Sequence, residues 1–172
     1  MSLASKRHQM HTHQEAFLRG STMRQPFVAA QPAIVMTRVW LPEHEWLHSV
    51  FSCSENQSPT FRFPDLLSAC VALVLGDSEA TSRLRRFLIT ELSIRDPKSP
   101  RRTCHLWQRQ FDDLLREHRA PWNSHPNPKF DLDAIATGCV AVVRSGVDPV
   151  SRTLRQARLN VAARAIADHD LS

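Results

Sequence analysis

Apolar residues in this chain follow two spacings, and the change from one to the other marks its predicted elements. Residues 34–41, IVMTRVWL, are largely β-branched and aromatic and precede Pro42, which predicts a strand that runs directly into a helix. Over residues 43–53 the apolar positions form one helical stripe: Trp46, Leu47, Val50 and Phe51. A polar loop follows, and Pro64 opens a second helix that ends at Gly76.

The second half of the chain repeats this order of elements. A third helix over residues 78–94 ends before the break DPKSP, and residues 101–107 form a second strand. A helix over residues 108–119, a loop with three prolines and a helix capped by Asp131 come next. A last helix begins near Pro149.

A sixteen-residue repeat underlies this order. Residues 59–74, PTFRFPDLLSACVALV, align with residues 128–143, PKFDLDAIATGCVAVV, at an offset of 69, with six identical positions. A repeated unit that cannot bury its apolar face alone needs a neighbouring copy. Because only two copies are present, the sequence predicts a pseudo-dimer within one chain, and not a solenoid.

Composition excludes several classes of protein. The 42% hydrophobic content excludes wholesale disorder, and no apolar run approaches the roughly 20 residues of a membrane helix. The polar start MSLASKRHQMHTHQ lacks the apolar core of a secretory signal, so we expect a cytoplasmic protein with no membrane partner. The sequence of residues 1–33 predicts a basic mobile arm. Because the four cysteines form no CxxC pair and the histidines of the arm lie in a polar tail, we expect no metal and no cofactor.

Familiar catalytic motifs are missing from the sequence. It contains no GxGxxG, P-loop, GxSxG or HExxH motif, only four glycines and no tyrosine, so we expect that the protein is not an enzyme. Lys and Arg total 22 against 17 Asp and Glu, and arginine predominates among the basic residues. A net charge of +5 suits phosphate contacts and equally suits an ordinary basic surface.

The unit TRVWLPEHEWLHSVFS followed by TFRFPDLLSACVALVLG resembles the ribbon-helix-helix DNA-binding family, the MetJ/Arc class. In that family two copies pair their strands into an antiparallel ribbon that enters the major groove, while their helices form the shared core. A lone strand has no partner for its backbone groups, and the second copy supplies the missing ladder. A single-chain tandem version is similar to the overdrive-binding accessory proteins of T-DNA transfer, which work beside a ParA-type ATPase.

This resemblance implies a mainly α fold with a two-stranded antiparallel β-ribbon, internally duplicated, with an extra helix after each repeat. A pseudo-twofold domain would span residues 34–146, with repeats at 34–94 and 101–146, and a C-terminal helix would occupy residues 147–172. The chain would then act as a monomer that is its own dimer partner.

The resemblance also implies which residues face DNA, once the strand phase is chosen. If Val39 faces the core, alternation points Met36, Arg38 and Trp40 outward. An offset of 67 between the strands places a matching outward set in the second strand, whereas an offset of 68 reverses the phase. We prefer 67. The expected DNA-binding residues are Met36, Arg38, Trp40, Arg101, Arg102, Thr103, His105 and Trp107.

The family also offers the N-terminal N–H groups of its second helix to a phosphate. Here acidic residues crowd those helix ends, which argues against phosphate binding there: Asp65, Asp131 and Asp133.

Three hypotheses remain open from sequence. The first is a non-enzymatic protein that binds double-stranded DNA for plasmid partition, DNA transfer or repression, associated with the nucleoid or a plasmid. The second is a protein–protein adaptor for a ParA-type ATPase, a relaxase or other DNA-transfer machinery, with no direct base readout. The third is a helical bundle in which residues 34–41 form no strand.

Overall fold

A computed structural model describes residues 33–170. In chain order it contains β1 (Ile34–Trp40), α1 (Leu41–Ser52), α2 (Phe63–Leu75), α3 (Ser78–Phe87), β2 (Arg101–Trp107), α4 (Gln108–His118), α5 (Leu132–Arg144) and α6 (Pro149–Asp170). Short 3₁₀ turns at Ser54–Gln57 and Pro121–Asn123 follow α1 and α4, and a π turn at Leu88–Leu92 continues α3. The predicted basic arm lies outside the described residues except for Ala33. In the described range, no helix is both long and apolar enough to cross a membrane.

The two strands form an antiparallel ribbon, although 60 residues separate them along the chain. Ile34 pairs with Trp107, Thr37 with Cys104 and Trp40 with Arg101. This pairing confirms the mainly helical fold with a two-stranded antiparallel sheet, and it overturns the alternative of a purely helical bundle. At each end of the ribbon the last strand residue runs straight into a helix, as the sequence predicted.

Helices α2 and α5 form the centre of the molecule. Every residue of α5 from Ala134 to Val143 is buried, and so is every residue of α2 from Asp65 to Val71. Helices that are apolar on all sides belong inside a core. Gly138 allows α3 to approach α5 closely, since a Cβ added at this glycine would overlap Leu84 Cδ1. Helix α6 packs mainly on α2 and contributes Leu154 and Ala157 to the same core.

Two buried asparagines hold the loops that lead into α2 and α5. Asn56 Nδ2 donates to the carbonyls of Phe51 and Phe61, both at 3.0 Å, and Phe61 N–H donates to Asn56 Oδ1 at 2.8 Å. Asn123 makes the corresponding three bonds to His118 and Phe130, at 2.9, 3.0 and 2.9 Å. Each asparagine thereby satisfies backbone groups that no regular element can pair.

Hydroxyl groups of the central helices bind the ends of the ribbon. Trp107 N–H donates to Ser68 Oγ at 2.9 Å, and Trp40 N–H donates to Thr137 Oγ1 at 3.3 Å. Ser68 and Thr137 lie 69 residues apart, which is the offset of the sequence repeat. These bonds fix the ribbon against α2 and α5 and leave its other face toward solvent.

Candidate nucleic-acid interface

One face of the ribbon is open to solvent at its centre, and we call it the ribbon face. Its central residues form two cross-strand pairs, Met36 with His105 and Arg38 with Thr103. All four are exposed; Met36 is 65% exposed and the Arg38 side chain is 60% exposed. The opposite face of the ribbon carries Thr37, Val39, Cys104 and Leu106, which are buried.

The burial of the two strands agrees with an offset of 67. Arg38 and His105 occupy equivalent exposed positions, and Val39 and Leu106 occupy equivalent buried positions. The preferred strand phase therefore places Met36, Arg38, Thr103 and His105 on the ribbon face as expected. Sequence reasoning missed Ile34, which is 45% exposed and shares the parity of Met36.

The two tryptophans expected on this face are buried, so that expectation is wrong. Trp40 is 5% exposed and Trp107 is 7% exposed. Both residues sit where a strand turns into a helix, and there simple alternation no longer decides which way a side chain points. Arginine guanidinium groups cover both rings: Arg101 lies 4.9 Å from the centre of the Trp40 ring and Arg164 lies 4.0 Å from that of Trp107.

Asp133, at the start of α5, joins that helix to the ribbon. Its carboxylate accepts bonds from Arg38 N–H at 2.9 Å, Arg38 Nε at 2.9 Å, Thr37 Oγ1 at 3.1 Å and Arg101 Nη1 at 3.2 Å. Asp131 caps the same helix by accepting from Ala134 N–H at 2.7 Å. Carboxylates thus occupy the helix end at which the family resemblance implies a phosphate.

At the N-terminus of α2 the acidic residue is Asp65, and its partners differ from those of Asp133. Asp65 accepts from Trp107 Nε1 at 2.8 Å, from Arg164 Nη2 at 2.7 Å and from Arg62 N–H at 3.1 Å. Arg164 comes from α6, so the last helix neutralises this acid. The Arg62 side chain stays 67% exposed and adds a cation beside the ribbon that sequence reasoning missed.

The two remaining basic residues of the predicted set, Arg101 and Arg102, differ in whether acidic side chains already bind them. Arg101 is only 22% exposed at its side chain and bridges Asp131 and Asp133 from Nη1, at 3.1 and 3.2 Å. Arg102 pairs with Val39 and shares the parity of the buried Cys104, so it does not lie on the ribbon face as expected. It is nevertheless exposed near the end of the ribbon and lies close enough to His44 of α1 to affect its titration. Burial, then His48, then Arg102 lower the pKa of His44 below its ordinary value. Arg102 is therefore available to an anion, whereas Arg101 Nη1 is already held by Asp131 and Asp133.

Comparison of the chain with protein-family models, with curated proteins and with solved structures found no match. Within residues 33–170 no three His, Cys, Asp or Glu side chains gather as a metal site would need. The histidines of the N-terminal arm lie outside this range.

The ribbon face offers groups that can read DNA. An antiparallel ribbon fits the major groove in width, and side chains on its exposed face meet base edges. Arg38 presents a guanidinium group, Thr103 a hydroxyl and His105 an imidazole, while Met36 suits an apolar contact such as a thymine methyl. Arg102 and Arg62 carry exposed positive charge that suits phosphates.

Proposed function

We propose that the chain is a tandem ribbon-helix-helix protein that binds double-stranded DNA through the ribbon face, without catalysis. The observation that carries the proposal is the antiparallel pairing of β1 with β2, which puts Met36, Arg38, Thr103 and His105 on one exposed face. Plasmid partition, DNA transfer and repression are the settings that this activity suits, in the cytoplasm and on the nucleoid or a plasmid.

Paired contacts support the internal duplication that this proposal requires. The bonds of Ser68 and Thr137 to the strand ends correspond, and the three-bond sets of Asn56 and Asn123 correspond. Positions with matching roles lie 67 to 69 residues apart, close to the offset of 69 in the sequence repeat. A duplicated unit explains why one chain provides both strands of the ribbon, and why it acts as a monomer.

Base readout would come from the ribbon and affinity from a few exposed arginines. Because Asp131 and Asp133 occupy the start of α5, we assign phosphate contacts to Arg102 and Arg62 instead of to helix ends. With about two phosphates neutralised, the logarithm of the binding constant should fall against the logarithm of salt concentration with a slope of about −2. Arg38 can reach bases from the centre of the ribbon, although one of its guanidinium nitrogens, Nε, is held by Asp133.

Gel retardation with genomic and plasmid fragments tests this proposal. The wild-type chain should retain DNA at low salt and release it as salt rises. Arg38→Ala should relax the preference among fragments, whereas Arg102→Ala should weaken binding to all of them and reduce the salt slope by about 1. Arg83→Ala, an exposed arginine on α3, is the matched control. Absence of retention at low salt, or equal losses in all three variants, would contradict binding through the ribbon face.

One observation favours an adaptor as the second candidate function. Ile34 and Met36 expose neighbouring apolar side chains on β1, and acidic residues flank the start of α5. Exposed apolar side chains next to charges suit a protein partner such as a ParA-type ATPase or a relaxase. Under this alternative, Met36→Ser would abolish capture of the purified ATPase or relaxase, while Arg102→Ala would leave it unchanged.

A further inference from the structure

The tryptophans at the two strand ends have matching backbone contacts and different side-chain partners. Each donates its backbone N–H to a hydroxyl of a central helix, and an arginine guanidinium group covers each ring. Trp107 Nε1 donates to Asp65 Oδ1 at 2.8 Å. Trp40 Nε1 is buried and has no partner among the described residues. A buried donor without an acceptor destabilises the fold, so its presence requires an explanation.

The missing acceptor can be traced to one position of the repeat. At the offset of 69, Ala134 occupies the place that corresponds to Asp65, so the second site lacks a carboxylate. Beside Ala134 there is an open cavity of about 280 Å³. Trp40 and Ala134 line it together with Leu92, Phe130, Arg101 and Lys129. The cavity is larger than one carboxylate, and five of its ten lining residues are apolar.

Three cations line this cavity: Arg95, Arg101 and Lys129. Arg95 is already bonded to Glu43 through both Nη atoms, whereas Arg101 and Lys129 have donors to spare. Arg101 uses Nη1 for its bonds to Asp131 and Asp133, and its remaining guanidinium N–H groups make no bond within residues 33–170. Lys129 lies 5.4 Å from the centre of the Phe130 ring and forms no ion pair in the described part of the chain. Asp131 also lines the cavity and repels an anion there. An incoming carboxylate therefore belongs on the side of Lys129.

We propose that this cavity binds a small molecule that carries a carboxylate on an apolar body. The carboxylate takes the place that the Asp65 side chain holds beside Trp107, and it accepts bonds from Arg101 and Lys129. Trp40 lines the cavity, and binding requires its indole to turn so that the buried Nε1 donates to the same carboxylate. The apolar body packs on Leu92 and Phe130. This site is separate from the ribbon face, and its occupation does not require DNA.

Nuclear magnetic resonance of the indole N–H groups tests the proposal on the full chain. Benzoate is the probe, and Trp40→Phe assigns the Trp40 signal among the four tryptophans. Benzoate should shift the Trp40 signal saturably, with Kd on the order of 1 mM, as expected for a ligand of this size. The Trp107 signal should stay in place, because Asp65 already occupies its donor. Neutral benzamide should bind at least tenfold more weakly.

Three variants test whether Ala134 and Lys129 form the binding site for benzoate. Ala134→Asp should move the Trp40 signal without ligand and abolish the response to benzoate. Lys129→Gln, at an exposed residue, should weaken benzoate binding at least threefold, whereas Arg83→Gln should not change it. The proposal is overturned if the Trp40 signal does not respond to benzoate, if benzamide binds equally well, or if Lys129→Gln has no effect. A stronger response to inorganic phosphate than to benzoate would overturn the assignment to carboxylates.

Discussion

The buried Asn56 should be essential for the stability of the loop between α1 and α2. Replacing it by Ala removes three hydrogen bonds, to the Phe51 carbonyl and to the carbonyl and N–H of Phe61. A net contribution of about 1 kcal/mol per bond gives a loss of about 3 kcal/mol in the free energy of unfolding. The loss rises if Phe61 N–H finds no new acceptor. For a chain of this length, about 3 kcal/mol lowers Tm by about 6–12 °C.

Urea unfolding followed by circular dichroism measures this loss, with Asn127→Ala as the matched control. Asn127 is exposed, so its replacement should change stability by less than about 0.5 kcal/mol. Asn123→Ala should cost as much as Asn56→Ala, because the two asparagines make the same three kinds of bond. If Asn56→Ala unfolds at the urea concentration of Asn127→Ala, the loop does not depend on this side chain.

Three further predictions concern buried charge, thiol reactivity and pH. Glu43→Ala should destabilise the fold by about 3 kcal/mol in urea unfolding, because it leaves Arg95 without its buried bidentate partner; the exposed Glu45→Ala should cost little. Native protein at pH 8 should react with Ellman's reagent at Cys53 alone, since burial raises the pKa of the other three thiols; fast reaction of a second thiol would contradict their burial. Burial lowers the pKa of His44 below 6.5, so its share of stability is complete above pH 6.5 and is lost as pH falls through the folded pKa. Wild type should therefore lose more stability between pH 7.5 and 5.5 than His44→Gln, and equal losses would refute this.

Local patterns in the sequence were sufficient to predict the elements. Strand length, the helix starts at Pro42 and Pro64, the stop at Gly76 and the cap at Asp131 all follow from interactions within a few residues. The third helix departs in one detail, since its predicted last turns form a π turn at Leu88–Leu92 that keeps both of these leucines buried.

Side-chain partners across the fold could not be predicted in the same way. Trp107 is covered by Arg164, and Glu43 is neutralised by Arg95; neither pair has a local sequence signal. Alternation along a strand gave the correct phase for Met36 and Arg38, but it failed at the strand ends, where tertiary contacts cover the rings. The repeat aligns Ala134 with Asp65, but only the structure shows that the Trp40 indole N–H is left without an acceptor beside Ala134.

Asp133 connects the ribbon face with the cavity beside Trp40. Its carboxylate is shared by Arg38, whose side chain reaches the ribbon face, and by Arg101, which lines the cavity. A carboxylate ligand that draws Arg101 away would leave Asp133 with Arg38 as its remaining arginine partner, and it would hold that guanidinium more firmly. A guanidinium held in this way is less available to a base, so if both proposals hold, the ligand should oppose DNA binding. The coupling is reciprocal by thermodynamic necessity, and DNA should lower the affinity for benzoate by the same factor.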